Sequence, residues 1–283
     1  MNIQWYPGHM TKARRQMQED IRLVDLVIEL IDARIPFSSR NPDIDQLSQG
    51  KYRLILMNKA DLADEEQNRK WMTYFQNKGF SVICLDSRTK GEMKRISGEI
   101  KKICIQKTLR DQARGIKNRP VRAMVVGIPN VGKSTFINSF AGRAAAKTGD
   151  RPGVTKGKQW IRLNKDVELL DTPGILWPKF DDEEVGTRLA LIGSVNDEIL
   201  NREELALQMI AFLLSEYPRA LRARYEDIVG PEPLAVYEQI ARKRGCLRKG
   251  EELDLEKAAR LILDDFRQGR FGRITLEEAP EPD

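Results

Sequence analysis

Two textures of apolar and polar positions divide the chain. In its first part, short runs rich in aliphatic and β-branched residues, Leu26 to Ile31, Arg53 to Met57 and Ser81 to Leu85, are separated by polar segments of helical length. That rhythm predicts βαβ units, and so a parallel sheet with helices over its faces. A fourth run, Ala123 to Ile128, leads into a Gly-rich turn and an amphipathic stretch from Ser134 to Ala141, the order strand, loop, helix. Gln159 to Leu163 and Val167 to Leu170, joined by Asn164-Lys165-Asp166, predict an antiparallel hairpin. Beyond Trp177 the period changes. Leu205, Met209, Phe212 and Leu213, and later Leu255, Ala259, Ile262, Leu263 and Phe266, recur at spacings of three and four, which predicts a separate helical domain. The expected fold class is α/β, a mostly parallel sheet flanked by helices over 1–177, followed by an all-α domain over 178–283. The acidic, proline-containing end from Glu277 to Asp283 is expected to be disordered.

Composition removes several chemistries. The chain of 283 residues has one histidine, His9, so neither a Ser-His-Asp triad away from the N-terminus nor a metal site built on several imidazoles is available. Cys84, Cys104 and Cys246 are too scattered for a zinc knuckle or a disulfide framework, and they suit a reducing compartment. The longest apolar run, Leu23 to Ile31, is broken by Asp25 and Glu29 and falls short of the roughly 20 residues of a membrane span. Residues 1–16 lack the apolar core of a secretory signal, so a cytoplasmic location without a membrane partner is expected. Lys plus Arg exceed Asp plus Glu by 48 to 42, a net charge of +6. The cations gather at Lys12, Arg14 and Arg15, through 94–122, and from Arg242 to Lys249. Solvated helix faces and contact with a phosphate backbone both account for them.

The Gly-rich turn carries the sharper signal. Gly127-Ile128-Pro129-Asn130-Val131-Gly132-Lys133-Ser134 fits G-x-x-x-x-G-K-[ST] and sits between a buried strand and a helix start, where that pattern works. Its glycines let the backbone wrap a phosphate, amides from Asn130 to Thr135 point at the oxygens, Lys133 reaches the β and γ phosphates, and the Ser134 hydroxyl suits Mg2+. Downstream, Val167 to Leu170 delivers Asp171-Thr172-Pro173-Gly174 at a strand end. Asp171 there can hold the metal through water, and the Gly174 amide can sense a γ-phosphate. Between them, Thr155 in a polar loop can place a second hydroxyl on Mg2+.

Asn58-Lys59-Ala60-Asp61 follows the strand that ends at Met57. A carboxylate at Asp61 accepts hydrogen bonds from both N1-H and the 2-amino group of guanine, a pair adenine does not offer, so this tetrapeptide selects GTP over ATP. Lys59 would lie over the base. Asp86-Ser87-Arg88, after the strand from Ser81 to Leu85, is a second base-contacting segment.

These elements resemble those of the translation-factor class of GTPases, but in a different order, with the base-reading residues ahead of the phosphate loop. The chain is therefore similar to the circularly permuted GTPases. Trp5-Tyr6-Pro7-Gly8-His9-Met10 and Asp32-Ala33-Arg34-Ile35-Pro36 resemble the ribosome biogenesis GTPase A group in particular. The likeness covers nearly the whole chain and is most specific to about residue 176. It implies a monomeric GTPase that binds GTP and GDP and acts in maturation of the large ribosomal subunit. Such a factor binds the subunit precursor and its rRNA in the GTP state and leaves after hydrolysis stimulated by the particle. A GTP-dependent switch acting on a protein partner, with solvated basic faces, is the alternative.

Many GTPases orient the attacking water with a glutamine directly after the DxxG glycine. Ile175 stands there and has no hydrogen bond to offer, so intrinsic turnover is expected to be slow, with Lys133 and Gly174 stabilising the transferred phosphoryl. Asn130 resembles an asparagine through which related GTPases bind K+, whose charge would act as an arginine finger does. His9, flanked by Pro7-Gly8, is the other candidate, as a catalytic group or as a structural or RNA-contacting residue. The order of the elements also suggests that the helical domain senses the γ-phosphate, because the chain runs from Gly174 directly into it.

Overall fold

The structure, a computed structural model, describes residues 15–89, 91–116, 119–142, 159–171, 182–196 and 201–281. Six strands, β1 (Leu26–Asp32), β2 (Tyr52–Asn58), β3 (Ser81–Cys84), β4 (Val121–Val126), β5 (Gln159–Arg162) and β6 (Val167–Asp171), form one sheet of order β3-β2-β1-β4-β6-β5. Every pairing is parallel except β5 with β6, the hairpin edge. β1 lies at the centre and is buried along its whole length, as a strand covered on both faces must be. From β1 the chain builds outward through β2 and β3, and from β4 it builds the other way. The connections therefore diverge between β1 and β4, and at such a switch point an open α/β sheet leaves a crevice at its strand ends.

Alternate residues of β1 show what covers one face. Val27 joins Met17, Ile21, Ile44 and Met124 in one cluster, while Ile31 joins Ile55, Met57, Trp71 and Phe75 in another. Between them on the same face stands Glu29, 1% exposed, held by Arg53 at 2.9 Å and Arg40 at 3.0 Å. A short helix, α1 (Asp43–Leu47), supplies Ile44, and Trp71 and Phe75 come from α2 (Glu65–Asn77), whose first turn is capped by the Asp64 carboxylate accepting from the Gln67 amide. Three further helices, α3 (Glu92–Ile103), α4 (Ile105–Ala113) and α5 (Lys133–Ala141), follow β3 and β4.

Much of the basic stretch at 94–122 is neutralised from within. Lys107, only 7% exposed, pairs with Asp111 at 2.9 Å and Asp25 at 3.7 Å. Arg119 also reaches Asp111, Lys101 reaches Asp166 at 2.9 Å, and Arg122 lies over the Trp160 ring beside Glu168. Lys107 is buried in its ion pairs, while Lys101, Arg119 and Arg122 stay exposed beside their partners.

The chain divides into two compact units. The second, Asp182–Ile274, is helical: α6 (Glu183–Leu191), α7 (Arg202–Glu216), α8 (Pro218–Tyr225), α9 (Pro233–Lys243) and α10 (Leu255–Arg267). Its core takes Leu205, Met209 and Leu213 from α7 and Ile262, Leu263 and Phe266 from α10. Asp265, fully buried, accepts from Arg224, Tyr225 and Arg270, so one carboxylate ties α8 to the end of α10. Thr275 onward belongs to the sheet unit, so the helical unit ends before the chain does. This corrects the expectation of a disordered acidic end. Thr275 and Glu277 are buried, Thr275 accepting from the Asp64 amide and Glu277 from Trp71 and the turn after β1.

Candidate nucleotide site

The site grows from the C-terminal ends of the three central strands. β4 stops at Val126, the turn 127–132 follows, and α5 starts at Lys133. Ile128 and Val131 are fully buried and pin the turn to the core. Asn130 and Gly132 take left-handed backbone conformations, φ 59° and 100°. The glycines are dictated by neighbours as well as by φ. A Cβ on Gly127 would stand 2.5 Å from the Leu30 carbonyl oxygen, and one on Gly132 would collide with the Asn58 side-chain amide. Lys133 Nζ donates to the Gly127 carbonyl at 3.3 Å, closing the loop end to end. Ser134 and Thr135, half-buried in the first turn of α5, sit where helix amides gather to receive anions.

Asn58 ends β2, and register places it beside Asp32, the end of β1. Its Nδ2 donates to the Val131 carbonyl at 2.7 Å and its Oδ1 accepts from the Ser87 amide at 3.0 Å. One side chain thus joins the Gly-rich turn to the end of β2 and to the segment after β3. Lys59, at φ 57°, donates to the Asn130 carbonyl at 2.9 Å and pairs with Asp32 at 3.0 Å.

Asp32 is fully buried and also receives Arg34 through two side-chain hydrogen bonds of 2.9 and 2.8 Å. Burial alone would raise its pKa, but the charges of Arg34 and Lys59 outweigh that and hold the carboxyl well below the usual range. Burial pushes the Lys59 ammonium down, against the pull of Asp32. The sequence reading assigned no role to Asp32. An acid at the last position of a fully buried central strand is the signal that marks it.

Asp61 presents one buried oxygen, Oδ1, with no hydrogen-bond partner, while Oδ2 meets Arg88 at 2.5 Å. Arg88 also grips Asp86 through two hydrogen bonds of 2.8 Å. An unpartnered carboxylate oxygen two residues beyond Lys59, which itself binds the Asn130 carbonyl, suits a ligand that brings its own N-H donors. Asp171 closes β6, its backbone beside Val125, and its side chain lies outside the described residues. His9, Thr155 and Gly174 also lie outside them. Among the described residues no cluster of three or more His, Cys, Asp or Glu could hold a metal, and no helix is long and apolar enough to cross a membrane.

A family model described as 50S ribosome-binding GTPase matches residues 122–230, from β4 onward. Ribosome biogenesis GTPase A of Bacillus cereus is 47% identical over 99% of this chain and 95% of its own length. The chain belongs to the ribosome biogenesis GTPase A family. Two solved structures of the family member YlqF from Thermotoga maritima, one GDP-bound and one GNP-bound, align at 32% identity and a TM-score of 0.67, covering 95% and 96% of this chain and all of theirs. In this permuted P-loop GTPase the Asn58-to-Asp61 tetrapeptide precedes the Gly-rich turn in sequence, and the sheet brings the two together.

Proposed function

We propose that this GTPase is an assembly factor of the large ribosomal subunit. It binds the subunit precursor and its rRNA in the GTP state and departs after hydrolysis that the particle stimulates. The observation that carries the nucleotide half is the Asn58 amide spanning from the end of β2 to the phosphate loop, with an unpartnered Asp61 oxygen three residues further along the chain. The ribosomal half rests on 47% identity along nearly the full length to a protein named for ribosome biogenesis.

In this reading Asp61 takes the N1-H and 2-amino donors of guanine, with Ser87 and Arg88 flanking the base. Lys133 and the amides from Asn130 to Thr135 hold the phosphates. Ser134, with Thr155 and Asp171, would hold Mg2+, which when bound would neutralise phosphate charge. Gly174 reads the γ-phosphate. Ile175 leaves water orientation to another group, K+ at Asn130 or His9, which makes turnover slow until a ribosomal particle is engaged. The protein acts as a cytoplasmic monomer, and its RNA contacts are made mainly to phosphates and folded shape.

Cosedimentation with mature and immature large subunits tests this, with a non-hydrolysable GTP analogue, with GDP and without nucleotide. Binding to the particle with the analogue, weakening with GDP and with salt, is expected. Equal association in all three states, or none, overturns the proposal. GTP turnover with and without particles, in sodium and in potassium buffers, then separates the His9 and K+ routes, because only the second responds to the cation.

A further inference from the structure

The buried end of the chain has no part in the nucleotide chemistry described so far, yet its contacts concentrate on the loop that carries the candidate guanine residues and on the loop beside it. The loop after β1 carries Arg34, Phe37 and Ser38, and the loop after β2 carries Lys59, Asp61 and Asp64. Glu277, 5% exposed, turns its carboxylate into the first loop and accepts from the Phe37 amide at 2.7 Å and the Ser38 amide at 3.0 Å, across some 240 residues of chain. The Leu276 amide donates to the Arg34 carbonyl at 2.8 Å. Thr275 reaches the second loop, its hydroxyl accepting from the Asp64 amide at 3.0 Å. Trp71 of α2 fixes the strap from beneath, its indole N-H donating to the Glu277 carbonyl at 3.1 Å.

We infer that Thr275–Glu277 is a positioning strap for guanine recognition, with Glu277 as the residue that holds the first loop in register with the second. The path is short. Glu277 and Leu276 fix the turn that contains Arg34, Arg34 and Asp32 form a buried pair, and Asp32 is the counter-ion of Lys59. Lys59 sits at φ 57°, a conformation that a lysine keeps only when its surroundings over-determine it. On the other side, Thr275 steadies Asp64, three residues beyond Asp61, at the point where the loop turns into α2. Releasing the strap frees both loops to relax, and the base-reading residues lose alignment while the phosphate loop, held by Ile128 and Val131, does not.

Chain order adds a consequence. The strap follows the helical unit without a linker, at Ile274 and Thr275, so that unit is joined covalently to the sheet unit both after β6 and at the guanine loops.

This inference rests on the guanine-binding reading above, and the test separates the two. GDP and GTP affinities, KM and kcat for GTP, and ADP competition are measured on the full-length protein and on its Glu277→Ala, Glu277→Gln and Thr275→Val variants. All measurements are made at a temperature where circular dichroism shows each to be folded. Expected is a roughly tenfold loss of guanine-nucleotide affinity and a matching rise in KM for Glu277→Ala, with kcat within about twofold. Glu277→Gln, which keeps one acceptor, should recover part of that loss, and Thr275→Val should show a smaller loss of the same kind. Affinity unchanged in Glu277→Ala and Thr275→Val, whatever happens to their melting temperatures, overturns the strap as a positioning element. So does a fall in kcat at constant KM. If Glu277→Ala does not fold, Glu277→Gln and Thr275→Val decide by the same criteria. Failure of the unsubstituted protein to prefer GDP over ADP would instead overturn the guanine reading itself.

Discussion

The Asn58 side-chain amide donates to the carbonyl oxygen of Val131 at 2.7 Å, across 73 residues of chain. With its oxygen taking the Ser87 amide, this one side chain leaves a buried carbonyl and a buried N-H unsatisfied if it is removed.

Asn58→Ala should therefore cost about 2 kcal/mol of stability, the scale of two buried hydrogen bonds whose partners stay behind. Guanine-nucleotide affinity should fall by more than tenfold, because the base-reading and phosphate segments lose their common fastening. Urea unfolding with and without GDP measures both effects. A variant that unfolds more easily yet binds GDP as before would show that the fastening is only structural.

Asp61→Asn replaces two acceptor oxygens with one acceptor and one donor, so guanine loses a partner while xanthine, with a carbonyl in place of the 2-amino group, gains one. Affinity for GDP should drop roughly 100-fold and xanthosine diphosphate should become the better ligand, since a site built to hydrogen-bond discriminates strongly. Competition binding with the two diphosphates reads the ratio directly. Retained preference for GDP would place the base elsewhere.

Gly132→Ala meets two penalties at once, a left-handed φ of 100° and a methyl group driven into the Asn58 amide. Loss of GTP and GDP binding is expected, together with about 2 kcal/mol of destabilisation. Gly91→Ala, where the added Cβ meets nothing within 4 Å, is the control and should bind as the parent does. The contrast is read by calorimetric titration and thermal melting.

Two buried, depressed carboxyls contribute to the acid limit. Burial opposes the ionisation of Asp32 and of Asp265, but Arg34 and Lys59 in one case and Arg224 and Arg270 in the other hold their pKa values below the unfolded value of about 3.9. A group of this kind contributes its full stability above the unfolded pKa and loses it as pH falls through the folded one. The urea midpoint should therefore decline on going below about pH 4, in both units. Asp32→Asn should lower stability at pH 7 by about 3 kcal/mol, because Arg34 and Lys59 lose a buried counter-charge, and should flatten the acid decline of the sheet unit.

Much of this molecule is written in local pattern. Strand runs, the Gly-rich turn, the NKAD tetrapeptide and the helical period after residue 182 are each properties of neighbouring residues, so spacing alone fixes them. The reversed order of the nucleotide elements is equally legible, since it is nothing more than sequence order. What the tertiary structure decided are the pairings that spacing does not encode. Asp32 looks like one more polar interruption until β1 and β2 align and set it under Lys59. Lys107 and Arg122 look like free cations until Asp111, Asp25 and Trp160 approach them. An acidic, proline-containing terminus reads as solvated chain, because its composition supplies little apolar surface of its own. Folding gives Glu277 two backbone donors from the turn after β1 and a third contact at Trp71, and a charge that finds such partners is held in the core instead of in water.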